Sequence, residues 1–224
     1  MDLMIINQPQ VFPYRREYQI AKRVMDVALC LLTMPLALPL LAICALAIRI
    51  GSPGPVLFVQ ERIGKGGRRF RMYKFRTMQH NLDDSYHRTF MQAFVNGRID
   101  GDENGVAIYK PIQASQVTWV GRILRKTSLD ELPQLINVLA GEMSLVGPRP
   151  NVLWEFEEYK GWHQERLEVL PGITGLAQVR GRSGITFDSI VKYDIEYIER
   201  QSLAMDLRIL WWTVVSVLLG EGAK

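Results

Sequence analysis

At 224 residues the chain can hold one sizeable domain with an appendage. Its formal charge of +4 suits an anionic phospholipid membrane or an anionic substrate; nucleic acid is disfavoured, because the basic residues are dispersed and no helix-turn-helix, zinc-finger or RNA-recognition signature occurs. Its only cysteines, Cys30 and Cys44, share one apolar run, which excludes a disulfide framework and a cysteine metal centre; His80, His87 and His163 lack paired spacing and read as surface residues.

Residues 1–18 form a mixed lead with Arg15 and Arg16 suited to a lipid surface. Residues 27–48, VALCLLTMPLALPLLAICALAI, are uncharged and flanked by Lys22, Arg23 and Arg49. The length just reaches the roughly 20 residues a spanning helix needs. Pro35 and Pro39 sit in the middle, each removing a backbone donor, so the helix should bend or break there. Each arm then reaches about 15 Å, half the hydrocarbon thickness. A re-entrant helix over about 22–49 competes with a proline-kinked spanning helix, and from the residues alone the kinked span is preferred. Domain boundaries follow: a membrane-anchoring segment 1–49 and a catalytic domain 50–224.

Gly51-Ser52-Pro53-Gly54-Pro55 is a turn that ends the membrane element. Residues 56–63 and 69–78 read as strands of a hairpin around Gly64-Lys65-Gly66-Gly67, which lacks P-loop spacing. Lys74 and Arg76 alternate with Phe75 and project to one strand face, either solvated or facing headgroups or a substrate phosphate. Residues 80–116 are polar pieces, with Asp83-Asp84, an acidic turn at 100–105 that does not meet the EF-hand pattern, and Tyr109-Lys110-Pro111.

The central stretch is KTSLDELPQLINVLAGEMSLVGPRP, residues 126–150. Thr127 or Ser128 is a candidate N-cap, Ser128 with Glu131 matches a capping box, and Leu132, Leu135, Ile136 and Leu139 recur at helical spacing up to a closing Gly141. In a first helical turn the dipole favours ionised carboxylates at Asp130 and Glu131. These are either cap and dipole partners or ligands and nucleophiles for phosphate chemistry. Arg122, Arg125 and Lys126 precede them and Arg149 follows between Pro148 and Pro150, an arrangement suited to an anion. Residues 154–170 read as an amphipathic helix with Glu155, Glu157 and Glu158 on its wet side. Gly172, Thr174, Gly175 and Gln178 form a loop that is either a structural turn or a substrate wall, with Arg180 and Arg182 in reach. Residues 187–219 are helical, and Trp211 and Trp212 suit a membrane interface. The whole is α+β and predominantly helical.

Residues 126–150, together with Tyr73-Lys74-Phe75-Arg76-Thr77-Met78 and the run PGITGLAQV at 171–179, closely resemble the bacterial sugar transferase family, the monotopic polyprenyl-phosphate phosphoglycosyl transferases. The matches keep their order across most of residues 20–215. The resemblance implies a re-entrant anchor, a catalytic domain facing the cytoplasm at the bacterial inner membrane, and interfacial helices. It implies that Asp130 attacks the phosphorus carrying the sugar of a UDP-sugar and that polyprenyl phosphate then takes the sugar phosphate. Mg²⁺ would lie at Asp130 and perhaps Glu131, while Arg149 and Arg125 clamp phosphate oxygens. Glu131 is left as base, metal ligand or cap, and the oligomeric state as monomer or homodimer. The chain looks like the family's minimal form. A non-catalytic membrane adaptor and a nucleotide-sugar hydrolase are the alternatives.

Overall fold

A computed structural model describes residues 15–79, 85–98, 116–181 and 185–219. The pieces expected at 83–84, 100–105 and 109–111, together with His80 and Arg182, lie outside the described residues.

Helix α1, Arg16–Gly51, is 36 residues long. Its buried residues are Lys22, Asp26, Cys30, Ala37, Cys44 and Ile48, spaced by fours and sevens along one stripe. Leu31, Leu32, Leu36, Leu38, Ile43, Leu46 and Ile50 are exposed. The usual polarity is inverted, with charged groups inward and leucines outward, as expected for a surface that meets lipid rather than water. It is the one described helix long and apolar enough to cross a membrane.

The expected break at Pro35 and Pro39 does not interrupt the helix, which runs through both. Each proline removes one donor, so the loss falls on the carbonyls of Leu31 and Pro35 alone. Packing on either side holds the helix together. Cys30 and Ala37 lie against Phe70, Met72, Leu135, Val138 and Met143, and Cys44 and Ile48 against Phe75, Val120 and Leu124.

Strands β1, Leu57–Ile63, and β2, Arg69–Phe75, form the expected antiparallel hairpin, with Leu57 opposite Phe75 and Ile63 opposite Arg69. After α2, Ser85–Val95, and α3, Trp119–Lys126, a 3-10 segment at Leu129–Gln134 leads into α4, Leu135–Ala140. Gly141 closes α4 in the left-handed region at φ 81°, as read from the sequence. The capping box is not formed. Ser128 is itself left-handed at φ 56° and makes no side-chain cap, and the Thr127 hydroxyl donates back to Ile123 O at 2.8 Å. The proline two residues past Glu131 and this left-handed turn leave a tight 3-10 path instead of an α-helical first turn.

Strands β3, Ser144–Val146, and β4, Gly172–Thr174, pair in parallel. At three residues each they are too short to show an alternation. Between them the single helix expected at 154–170 is replaced by α5, Leu153–Phe156, and a 3-10 segment, Gly161–Glu168. Glu155 is not on a wet face but buried, because its carboxylate accepts from Asn151 Nδ2 at 2.6 Å and Val152 N at 3.2 Å. His163 is also buried rather than superficial, packed edge-on among Tyr159, Trp162 and Phe187. Its Nε2 lies 3.0 Å from Asp188 Oδ1.

The chain ends in α6, Leu176–Gly181, α7, Phe187–Arg200, and α8, Leu203–Leu218. The single helix expected over 187–219 is thus two, because Ser202 starts a new one, its Oγ accepting from Met205 N. Leu207, Trp211, Val214 and Leu218 form an exposed apolar stripe on α8, while Asp206 and Ile209 are buried. Asp206 meets α1: Lys22 Nζ donates to it at 3.0 Å and the Tyr18 hydroxyl at 2.8 Å.

Candidate active site

Three segments carry charged groups to one place. Strand β2 presents Lys74, the 3-10 segment presents Asp130 and Glu131, and the loop after β3 presents Arg149. Lys74 Nζ donates to Glu131 Oε1 at 2.7 Å, and Arg149 Nη2 donates to the same oxygen at 3.2 Å. The side chains of Lys74 and Glu131 are 14% and 19% exposed, whereas that of Arg149 is 41% exposed. An open guanidinium beside a closed lysine and carboxylate makes an anion-binding face with a fixed back wall.

The back wall is set by Asn137. Fully buried on α4, its amide donates to Arg71 O at 2.7 Å and its Oδ1 accepts from Tyr73 N at 3.1 Å. It thereby completes the outer edge of β2 and fixes α4, hence Glu131, against Lys74. Arg23 of α1 donates to Leu139 O at 2.9 Å, satisfying a terminal carbonyl of the same helix. Sequence reading missed Asn137, because its partners on β2 lie more than sixty positions upstream.

Burial alone would raise the Glu131 carboxyl, but Arg149 and Lys74 overcome it and hold the pKa at about 2. Lys74 is pushed down to about 8, by burial first and then by Arg149, against the pull of Glu131. Asp130 is raised, by burial and by the Glu131 charge, with Lys74, Arg149 and Arg125 pulling it back. Burial and the Glu131 charge thus act against the direction expected from a helix dipole at Asp130. Asp130 forms no hydrogen bond or ion pair among the described residues and is partly exposed. Arg125, in the last turn of α3, acts on it as a charge and not as a bonded partner.

Other expected site residues go elsewhere. Arg76 is buried and does not share an anion face with Lys74, because its guanidinium donates to Pro53 O at 2.6 Å and Ser52 O at 2.8 Å. It anchors the turn that follows α1. Pro148 and Pro150 are buried and frame Arg149. Gly172, Thr174, Gly175 and Gln178 lie behind that loop. A Cβ at Gly172 would stand 2.1 Å from Gly147 N, and one at Gly175 would stand 2.3 Å from Gly147 O, so close backbone packing accounts for both glycines. The Thr174 hydroxyl meets that of Thr213 at 2.7 Å, and Gln178 Nε2 donates to Ile173 O at 3.0 Å.

No group of three or more His, Cys, Asp or Glu that could enclose a metal occurs among the described residues. The residues present nevertheless fit Mg²⁺, which takes one or two carboxylates and completes its shell with water and phosphate oxygens. Asp130 and the second oxygen of Glu131 are uncommitted donors of that kind.

Residues 17–220 match the profile of the family described as bacterial sugar transferase. Relatives include the galactosyl transferase CpsE of Streptococcus agalactiae serotype III, 40% identical over 94% of this chain and 45% of its own length. A UDP-N-acetylgalactosamine-undecaprenyl-phosphate N-acetylgalactosaminephosphotransferase of Aeromonas hydrophila is 39% identical over 92% of this chain and 46% of its own. A UDP-glucose:undecaprenyl-phosphate glucose-1-phosphate transferase of Caulobacter vibrioides is 43% identical over 90% of this chain and 71% of its own. The chain thus spans less than half the length of the first two. The three names cite three different sugars at nearly equal identity, so overall similarity does not select the sugar.

Proposed function

The chain belongs to the bacterial sugar transferase family, and from that premise we propose that it moves a sugar 1-phosphate from a UDP-sugar to polyprenyl phosphate. The products are a polyprenyl diphosphate sugar and UMP, and the reaction starts the assembly of a surface glycan. The observation that carries the reading is the Asp130 carboxylate, unbonded among the described residues and set beside Lys74, Glu131 and Arg149.

Asp130 attacks the phosphorus that bears the sugar, a P–O bond to the aspartate forms, and the bond to UMP breaks with its electron pair leaving on UMP. An oxygen of polyprenyl phosphate then attacks the same phosphorus and expels Asp130 as a carboxylate. Arg149 holds non-bridging oxygens as charge moves onto the leaving phosphate, with Arg125 adding positive field. Glu131 anchors Lys74 and Arg149 in position, a role the capping box had obscured. When bound at Asp130 and Glu131, Mg²⁺ would neutralise charge on the diphosphate.

Both ends of α1 pack on the same domain, through Asp206 at one end and through Phe75 and Val120 at the other. A helix crossing a bilayer would carry one of those ends to the far side, so this packing supports a re-entrant or in-plane anchor; the cytoplasmic face of the inner membrane is the proposed location because a UDP-sugar donor is a cytoplasmic substrate. The exposed apolar residues Trp119 and Ile123 of α3, with the stripe on α8, support interfacial contact by those helices.

The test is intact-protein mass after incubation with Mg²⁺ and a panel of UDP-sugars. A gain of one sugar phosphate, absent in Asp130→Asn, is expected. Lipid-linked product without any adduct would replace the covalent route by direct displacement.

A further inference from the structure

The loop at 148–151 carries Arg149, which is more exposed than Lys74, and has prolines at two of its positions, so it offers few N–H groups with which to hold itself. It is held by its carbonyls instead. Pro148 O accepts from Gly172 N at 2.9 Å and Asn151 O from Ile63 N at 2.9 Å. Between them, Arg149 O accepts from Arg166 Nη2 at 3.1 Å and Pro150 O from Arg62 Nη1 at 3.0 Å. Successive carbonyls are thus bound by four donors from three separate parts of the chain, and two of the donors are arginine side chains.

Arg166 grips the loop at two points and Arg62 at one. Arg166 also donates to Asn151 Oδ1 and, at 2.9 Å, to the Tyr159 hydroxyl. Arg62 Nη2 also donates to Gln60 Oε1 at 2.6 Å. Arg166 is 2% exposed and its charge is met by Asp194 of α7 at 2.6 Å, itself 2% exposed. Neither arginine bonds to Asp130 or Glu131. A buried cation is costly unless paired and hydrogen-bonded, and a neutral donor would satisfy a carbonyl equally well. What the planar fork of Arg166 adds is a fixed direction, since its two bonds define the loop's orientation where one would leave it to pivot; Arg62, itself held to Gln60 of its own strand, adds a third fixed point at Pro150 O.

We infer that Arg62 and Arg166, the latter braced by Asp194, are positioning residues that set the Arg149 guanidinium against the diphosphate of the donor. The inference rests on the proposed role of Arg149 and deepens it. Both arginines act through Arg149 and touch no substrate atom themselves.

A double-mutant cycle tests this. Arg62→Met removes one grip. Arg166→Met combined with Asp194→Leu removes the other without stranding a buried carboxylate. Each is made in the native background and in Arg149→Ala, and UDP affinity by calorimetry with Mg²⁺ is measured alongside transfer to undecaprenyl phosphate. In the native background each should weaken UDP binding and lower transfer by about 10- to 100-fold, the scale of a small misplacement of a reacting group. In Arg149→Ala each should change UDP affinity less than about twofold, because the side chain being positioned is gone. Equal losses in both backgrounds, or no loss in the native one, would overturn the inference and leave the arginines as general supports of the fold. Should the arginine–aspartate replacement fail to fold, Arg62→Met decides alone. Wild type that binds UDP but transfers nothing would sink the proposed function while the binding cycle still judges the positioning role. Wild type that does not bind UDP would remove both.

Discussion

Glu131 Oε1 receives two cationic donors, so the carboxylate is part of the scaffold as well as of the proposed site. Its pKa of about 2 lies below the ordinary 4.5. Between those values the unfolded chain binds more protons than the folded one. The stability Glu131 contributes is therefore complete above pH 4.5 and is lost as pH falls toward 2. In metal-free buffer, Glu131→Gln should flatten the fall of Tm over that window; an unchanged slope would mean that the ion triad contributes nothing to folding. The same variant should lower the rate of adduct formation by roughly 100-fold, because Lys74 and Arg149 lose their common anchor. At this scale the sequence was informative where partners sit close along the chain, as with Asp130, Glu131 and Arg149. It misled at Arg76, whose strand alternation suggested a shared face with Lys74. The α1 terminus and the turn after it offer carbonyls at Ser52 and Pro53, and a guanidinium satisfies those first.

Among the elements, α4 is short, and its placement depends on polar contacts that periodicity cannot reveal. Asn137 bonds the edge of β2 twice and Glu142 Oε2 once, the last at 2.7 Å. Asn137→Leu would leave the Arg71 carbonyl and the Tyr73 amide unpaired, at a cost on the order of 1–3 kcal/mol for each buried group. A drop in Tm with a larger drop in turnover is expected, since the register between Lys74 and Glu131 loosens; a full loss of stability with normal specific activity in the folded fraction would argue that α4 does not position the site. On α1, the apolar run announced a membrane element, but Lys22 and Asp26 gave no sign of facing inward. Their partners, Asp206 and Ser144, lie far along the chain, the Ser144 hydroxyl donating to Asp26 Oδ2 at 2.7 Å. Lys22→Met leaves Asp206 without its cation and should cost about 3–5 kcal/mol, read as a Tm loss in detergent. An unaltered Tm would show that the Tyr18 and Tyr197 hydroxyls suffice for Asp206.

For the whole molecule, the question is how one helix anchors a domain in the bilayer. At the helical rise α1 is about 54 Å long, well beyond the roughly 30 Å of hydrocarbon. A spanning arrangement would have to draw through the bilayer the charged domain that packs along the helix, including the buried Lys22–Asp206 pair at one end and the Arg76-bound turn at the other. The cost of placing that many polar groups in lipid counts against it and is what the proposed re-entrant or in-plane anchor rests on. From the residues alone a kinked span is preferred, whereas the proposed anchor rests on packing, which a hydropathy pattern does not record. Tertiary contacts at both ends carry the information that the apolar run lacks. The consequence can be read in spheroplasts with single cysteines introduced at Glu17→Cys and Glu61→Cys, since native Cys30 and Cys44 are buried and should stay silent. A membrane-impermeant maleimide should label neither position until the membrane is permeabilised, and then label both. Labelling of Glu17→Cys alone in sealed spheroplasts would put the two ends of α1 on opposite faces and would require the domain to detach from the start of the helix.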